Sequence, residues 1–310
     1  MQIIKTIITV MLVTFLWGCN ASVLEEIGPR DTHYQSIPST NTIVFIHGMY
    51  LTPLTWSEWE AHYQLLGYTT FSPAWPLHDA SVAEQNNKHP NSELAELTLS
   101  EILQYYRDFI AALDEKPILI GHSMGGLIAQ ILLSEGIVAG GVAINSAPPQ
   151  GVISVDPDFL RANQPHIDPF LSVSKPTQLT FEQFQFGFVN NMLLEDQRRA
   201  YASYAVPESR RVGRATLTSA AKVEAAVVRP PLLLVSGGGD HTIPASLSYS
   251  NFLKYRNSQS VTDYRQFPER NHWTLLQEDW ETVASYIDEW VEVNKLPMIL
   301  AEGEQQLMEE

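Results

Sequence analysis

The sequence predicts an α/β protein: a doubly wound, mostly parallel sheet with a helical cap inserted late in the chain. Three observations carry that expectation. Continuous apolar runs recur at Thr42–Ile46, 117–120, 138–145 and 230–235, as strands buried on both faces require. The stretches between them place apolar residues near helical spacing, and such alternation implies parallel strands joined by crossover helices. The rhythm then breaks between about 152 and 216, where the insertion belongs.

Taken in order, residues 1–18 carry one positive charge at Lys5 and an apolar run from Ile7 to Gly18. That run is short for a membrane span and has the length and flanks of a signal peptide. Leu16-Trp17-Gly18-Cys19 resembles a bacterial lipobox, which predicts lipidation of Cys19 and anchoring at the cell envelope. Ordinary secretory cleavage is the alternative. Cys19 is the sole cysteine, which suits an oxidising compartment. Residues 19–40 are polar, broken by Gly28-Pro29 and Ile37-Pro38, and read as a tether.

The core spans 41–151 and 217–295. Its first strand ends in His47-Gly48-Met49, with Trp56 nine residues after His47. A helix is expected over 56–67, a strand over 68–71, and a loop through 91. Leu94, Leu97, Ile102, Tyr105, Phe109 and Leu113 predict one long amphipathic helix over 92–113. In the cap, 152–216, Pro157, Pro165, Pro169 and Pro176 punctuate the first half. Phe181, Phe184, Phe186 and Phe188 then crowd together ahead of a polar helix at 195–204. The cluster reads as cap core or as an acyl pocket. The core resumes at 230–235, which leads into Ser236-Gly237-Gly238-Gly239-Asp240. A last strand at 263–267, Asn271-His272-Trp273 and a terminal helix complete it, before an acidic tail at 296–310.

The chemistry centres on Gly121-His122-Ser123-Met124-Gly125-Gly126, set between an apolar strand and a helix. A serine between two glycines at a strand-to-helix turn is a nucleophile elbow. The turn is tight, so a Cβ at either glycine would collide with neighbouring backbone. The helix beyond points amides and its positive dipole end at developing negative charge.

Together these residues resemble the α/β-hydrolase superfamily: Gly121-His122-Ser123-Met124-Gly125, His47-Gly48-Met49 with Trp56, Asp240 followed by Ile243-Pro244, and Asn271-His272-Trp273. They occur in the order serine, acid, histidine. The resemblance implies the α/β-hydrolase fold and a serine hydrolase cleaving carboxylic esters of small or medium acyl groups through an acyl-enzyme. Ser123 would be the nucleophile, His272 the base, Asp240 its orienting acid, and the N–H groups of Met49 and Met124 an oxyanion hole. A serine-triad lyase, a cofactor-free perhydrolase and a non-catalytic binding protein of the same fold stay open as alternatives.

Rival assignments exist at each position. Among nine histidines, His122 lies in the nucleophile's own turn, His47 would brace the oxyanion loop, and His241 adjoins Asp240. Asp263 and Asp279 compete as acids, but only Asp240 ends a buried strand with a glycine turn. Arg210, Arg211 and Arg214 read as a solvated or salt-bridged face, with a substrate-carboxylate clamp as the other option. Lys and Arg number 19 against 35 acids, for a net charge of −16. This argues against nucleic acid and anionic membrane surfaces as partners. The sequence carries no cysteine- or histidine-rich cluster with metal spacing, so neither a metal nor a cofactor is expected.

Overall fold

The structure, a computed structural model, describes residues 36–295. The expected signal peptide, Cys19, nearly all of the tether and the acidic tail lie outside the described residues. Six strands form one sheet: β1 (Thr42–Ile46), β2 (Thr69–Phe71), β3 (Ile118–His122), β4 (Gly140–Ile144), β5 (Leu232–Gly237) and β6 (Thr262–Phe267). Every neighbouring pair is parallel, in the order β2-β1-β3-β4-β5-β6.

Each apolar run serves both faces because side chains alternate along a strand. Val44, Ile46, Leu119, Leu232 and Leu234 join the core on one face. Ile43, Phe45, Ile118, Ile120, Leu233 and Val235 join the core on the other. The helices are α1 (Ser57–Leu65), α2 (Val82–Asn87), α3 (Ser92–Glu96), α4 (Leu99–Ala111) and α5 (Met124–Ser134), then α6 (Pro157–Ile167), α7 (Phe181–Gly187), α8 (Leu194–Tyr204) and α9 (Arg210–Arg214) in the insertion, and finally α10 (Ala245–Lys254) and α11 (Glu281–Asn294). Residues of α4 and α5 pack into the first core, those of α1 and α11 into the second. In α5 all but Ser134 are buried, as expected of a helix apolar all round.

The single helix expected over 92–113 is two. Leu97 leaves the helical region at φ −58°, ψ 131°, and Thr98 caps α4 by exchanging hydrogen bonds with Glu101. A Thr-x-x-Glu capping box is a start signal, and here it outweighs continuous apolar spacing. The buried face becomes Leu99, Ile102, Leu103, Tyr106 and Ile110, with Tyr105, Phe109 and Leu113 on its half-buried flank. The prolines of the cap also behave differently from breakers. Pro157 is the first residue of α6, and the Asp156 carboxylate accepts from the amides of Asp158 and Phe159 at 2.9 and 3.2 Å. Proline at that position has no amide to leave unsatisfied. The tether, too, is docked at its end. Ile37 is fully buried against Gly140, and its amide donates to the Asn294 carbonyl at 2.7 Å.

The sheet order decides where a site forms. From β1 the chain runs to β2 on one side and then crosses to β3 on the other. Loops leaving the carboxyl ends of β1 and β3 therefore diverge and open a crevice between them.

Candidate active site

Ser123 stands at that crevice, immediately after β3, with φ 55° and ψ −118°. A non-glycine residue in this region is strained, and packing enforces it. A Cβ on Gly121 would lie 2.1 Å from the Gly125 carbonyl oxygen, and one on Gly125 would lie 2.1 Å from that of Ile46. With no room on either side, the elbow holds the serine out at the amino end of α5. Gly48 meets it from β1, where a Cβ would come within 2.8 Å of the Ser123 Cβ.

The structure brings together the three residues singled out by the sequence. His272 Nε2 lies 3.0 Å from Ser123 Oγ, and His272 Nδ1 lies 2.7 Å from Asp240 Oδ2. Asp240 is a buried carboxylate whose other oxygen accepts from the Ile243 amide at 2.8 Å. Its acceptor role fixes the proton of His272 on Nδ1, which leaves Nε2 free to accept from the serine hydroxyl. The rival acids stand elsewhere. Asp263 accepts from the Trp290 indole at 2.7 Å, and the Asp279 carbonyl accepts from Arg270 at 2.6 Å. His241 sits beneath the cap, bonded to the Phe186 carbonyl at 3.0 Å.

The other two histidines of the motifs are neutral braces. Burial, with His78 beside it, lowers the pKa of His47 to about 3. Its Nδ1 donates to the Gly48 carbonyl at 3.0 Å and its Nε2 accepts from the Trp75 amide at 3.4 Å. Burial, with the His272 ring nearby, holds His122 well below its usual value. Its Nε2 donates to the His272 carbonyl at 2.8 Å. Met49 and Met124 line the same cavity as Ser123. Met124 opens α5, where a helix leaves its first amides without internal partners.

A family model described as the alpha/beta hydrolase family matches residues 43–286. The chain belongs to the α/β-hydrolase family. No curated protein matches it significantly. Among solved structures, an extracellular α/β-hydrolase from a Paenibacillus species is similar at 20% identity, covering 80% of this chain and 98% of that one, with a TM-score of 0.60. The monoacylglycerol lipase of Paleococcus ferrophilus is similar at 18% identity, with 83% and 96% covered and a TM-score of 0.57. A pyrethroid hydrolase from Sphingobium faniae JZ-2 gives 17%, 82%, 98% and 0.58. At these identities the likeness is one of fold.

What this α/β-hydrolase adds to the family scaffold lies above the elbow. A narrow cavity of about 40 Å³, against roughly 10–15 Å³ needed for one water, opens onto Ser123. Its walls are largely apolar. Phe159, Ala162, Asn163, His166 and Ile167 of α6 contribute one wall, and their spacing is that of a single helical stripe. The phenylalanine cluster divides. Phe188 lines the cavity, edge-on to the His272 ring at 4.9 Å between centroids. Phe184, fully buried, stacks behind it at 4.8 Å. Phe186 lies under the Arg161 guanidinium, 3.7 Å away.

The arginines divide: Arg211 is salt-bridged, as one reading expects, and Arg210 and Arg214 reach backbone carbonyls instead. Arg210 donates to the carbonyls of Pro165 and Lys175 at 2.9 and 2.8 Å, and Arg214 donates to those of His166 at 3.1 Å and of Asp168. Only Arg211 forms an ion pair, with Glu96 at 2.8 Å. Two cations thus satisfy the carbonyls where α6 ends, a favourable charge arrangement for a helix terminus.

Asn145 is a positioning residue that sequence reasoning missed. It follows β4 directly, fully buried, with φ 45°. Its Nδ2 donates to the Asn271 carbonyl and the Thr274 hydroxyl at 2.9 Å each, and its Oδ1 accepts from the Gly237 amide at 2.8 Å. One side chain therefore ties the loop carrying Asp240 to the loop carrying His272. Partners 92 and 126 residues away leave no local signal.

Proposed function

We propose that this hydrolase cleaves carboxylic esters of small or medium acyl groups, with Ser123 as nucleophile and an acyl-enzyme as intermediate. The observation carrying this is the hydrogen-bonded array Ser123–His272–Asp240, set at a strained elbow beside an apolar cavity. Ser123 Oγ adds to the ester carbonyl carbon while His272 Nε2 takes its proton. Asp240 stabilises the imidazolium that results. The carbonyl oxygen, now negative, receives the amides of Met49 and Met124, each such donor lowering the barrier by roughly 3–4 kcal/mol. Collapse breaks the bond to the leaving alkoxide, which takes the proton back from His272. Water, deprotonated by the same imidazole, then attacks the acyl-enzyme; the acyl–Oγ bond breaks, Ser123 Oγ takes the proton back from His272, and the acid leaves.

A fluorophosphonate probe tests the covalent step directly. Wild type should be labelled at Ser123 and hydrolyse a graded series of 4-nitrophenyl esters, with Ser123→Ala doing neither. Labelling at a different serine, with activity kept in Ser123→Ala, would reject the assignment. The Lys5–Cys19 segment supports a further part of the proposal: export, lipidation at Cys19 and residence at the cell envelope. Palmitate incorporation that is lost in Cys19→Ala is the expected result. Equal labelling in that variant would leave ordinary secretion.

A further inference from the structure

The wall of the cavity above Ser123 carries two polar atoms that no described residue satisfies. Asn163 and His166 stand three residues apart on the inward stripe of α6, so both project to one side. They are 6% and 8% exposed. The Asn163 Nδ2 donates to the carbonyls of Phe159 and Thr242 at 2.8 and 2.9 Å. Both of its N–H groups are therefore used, and Oδ1 is left as an acceptor. His166 Nδ1 is 3.0 Å from the Tyr50 hydroxyl. Tyr50 is buried, its pKa raised well above 10 by that burial, and the Thr177 hydroxyl is also bonded to it. It therefore keeps its proton and donates to Nδ1. His166, lowered to about 4 by burial and by Arg210 and Arg214, is neutral, so its own hydrogen lies on Nε2. Among the described residues no partner takes His166 Nε2 or Asn163 Oδ1.

A donor and an acceptor left open on one wall of a largely apolar cavity lose their water, with nothing in exchange, when an unsubstituted chain fills it. A single hydroxyl satisfies both at once, accepting from Nε2–H and donating to Oδ1. An unsubstituted alkyl chain satisfies neither. We infer that the enzyme selects esters bearing a hydroxyl group, with His166 and Asn163 as its hydroxyl-binding pair and Tyr50 setting the His166 tautomer. This inference rests on the proposed ester hydrolysis for its readout but not for its geometry. A site built to bond a substrate hydroxyl rejects the analogue lacking it much more strongly than an apolar pocket rejects a missing methylene.

Two measurements test it. The first compares kcat/KM for ethyl 3-hydroxybutanoate and ethyl 3-hydroxyhexanoate with ethyl butanoate and ethyl hexanoate. Wild type should favour at least one hydroxy ester by about tenfold or more. In His166→Phe, which retains a flat ring against Gly213, the ratio should fall below about threefold. Tyr50→Phe, which frees the tautomer, should lower it less. The second measures binding of the same four esters to Ser123→Ala by calorimetry, independent of turnover. The hydroxy ester should bind about tenfold more tightly than its analogue. Ratios near one in both measurements, or a preference unmoved by either variant, overturn the inference. Selective binding to Ser123→Ala without any wild-type turnover would uphold it and reject the hydrolase reading alone.

Discussion

The two halves of the site are held in different ways. Below, Ser123 is fixed by backbone against backbone, Gly121 against Gly125 and Gly125 against β1, while the Asn145 side chain joins the loops of Asp240 and His272. Above, the cap is held by side chains reaching carbonyls. Arg210 and Arg214 hold the end of α6, Asn163 reaches the Thr242 carbonyl, and Asn190 reaches that of Gly239 at 3.0 Å. Glu208 and His78, both fully buried, face each other 3.1 Å apart where cap meets core. The first kind of contact tolerates no added atom. The second loses one hydrogen bond at a time. Chemistry should therefore be brittle to small changes in the floor, and selectivity adjustable through the roof.

The largest effect should come from the floor's reacting groups. Asp240→Asn and His272→Ala should each lower kcat by about 10⁴-fold or more, with little change in melting temperature. The double variant should be little worse than the worse single one, because the array acts as a unit. Independent, multiplying losses measured in that cycle would break this account. Next is Gly125→Ala. Its methyl would meet the Ile46 carbonyl at 2.1 Å, so a stability loss of about 3–5 kcal/mol is expected, roughly 10 °C in a thermal scan. An unchanged scan would mean that the elbow is not rigid.

Acid should strain floor and roof alike. His47 and His166 have pKa values lowered from 6.5 to about 3 and about 4. The unfolded chain binds a proton at each near pH 6.5, whereas the folded protein resists until far lower. Stability is thus full above pH 6.5 and declines as pH falls toward 4, by up to about 1.4 kcal/mol per unit for each histidine. Urea midpoints between pH 7 and 4.5 measure this, and His166→Phe should flatten the slope. The smallest effects belong to the roof. Phe188→Ala should move the preferred acyl length upward, each added methylene gaining about 0.8 kcal/mol until the new space fills. Phe184→Ala, behind it, should lower the melting temperature and leave the length profile in place. Reversed behaviour of the pair would mean that the cavity runs through the cap core.

The same division explains what could be read from the sequence. Apolar runs such as Thr42–Ile46 announce strands because burial on both faces leaves no other pattern, and the elbow glycines announce themselves because nothing larger fits. Ser123, His272 and Asp240 follow from their places after β3, β6 and β5. The cap was obscured by its prolines, although Asp156-Pro157 is a helix start and the spacing 159, 162, 163, 166, 167 marks a buried stripe. Thr98 and Glu101 likewise carried the signal that splits 92–113 into two helices. Asn145 and the Tyr50–His166 pair had no such signal, since each depends on partners brought together only by the finished fold.

Ile37 has a practical meaning for handling this enzyme. It rests on Gly140, at the amino end of β4, and bonds to Asn294 beside the last described residue. The described chain therefore enters and leaves near the amino ends of the strands, opposite the carboxyl ends that bear Ser123. A reporter fused directly to Ser36, or a bead coupled directly at Lys295, would attach away from the opening and leave substrate entry unobstructed. Surface-immobilised enzyme should then keep the ester profile of the free form, whichever end is tethered.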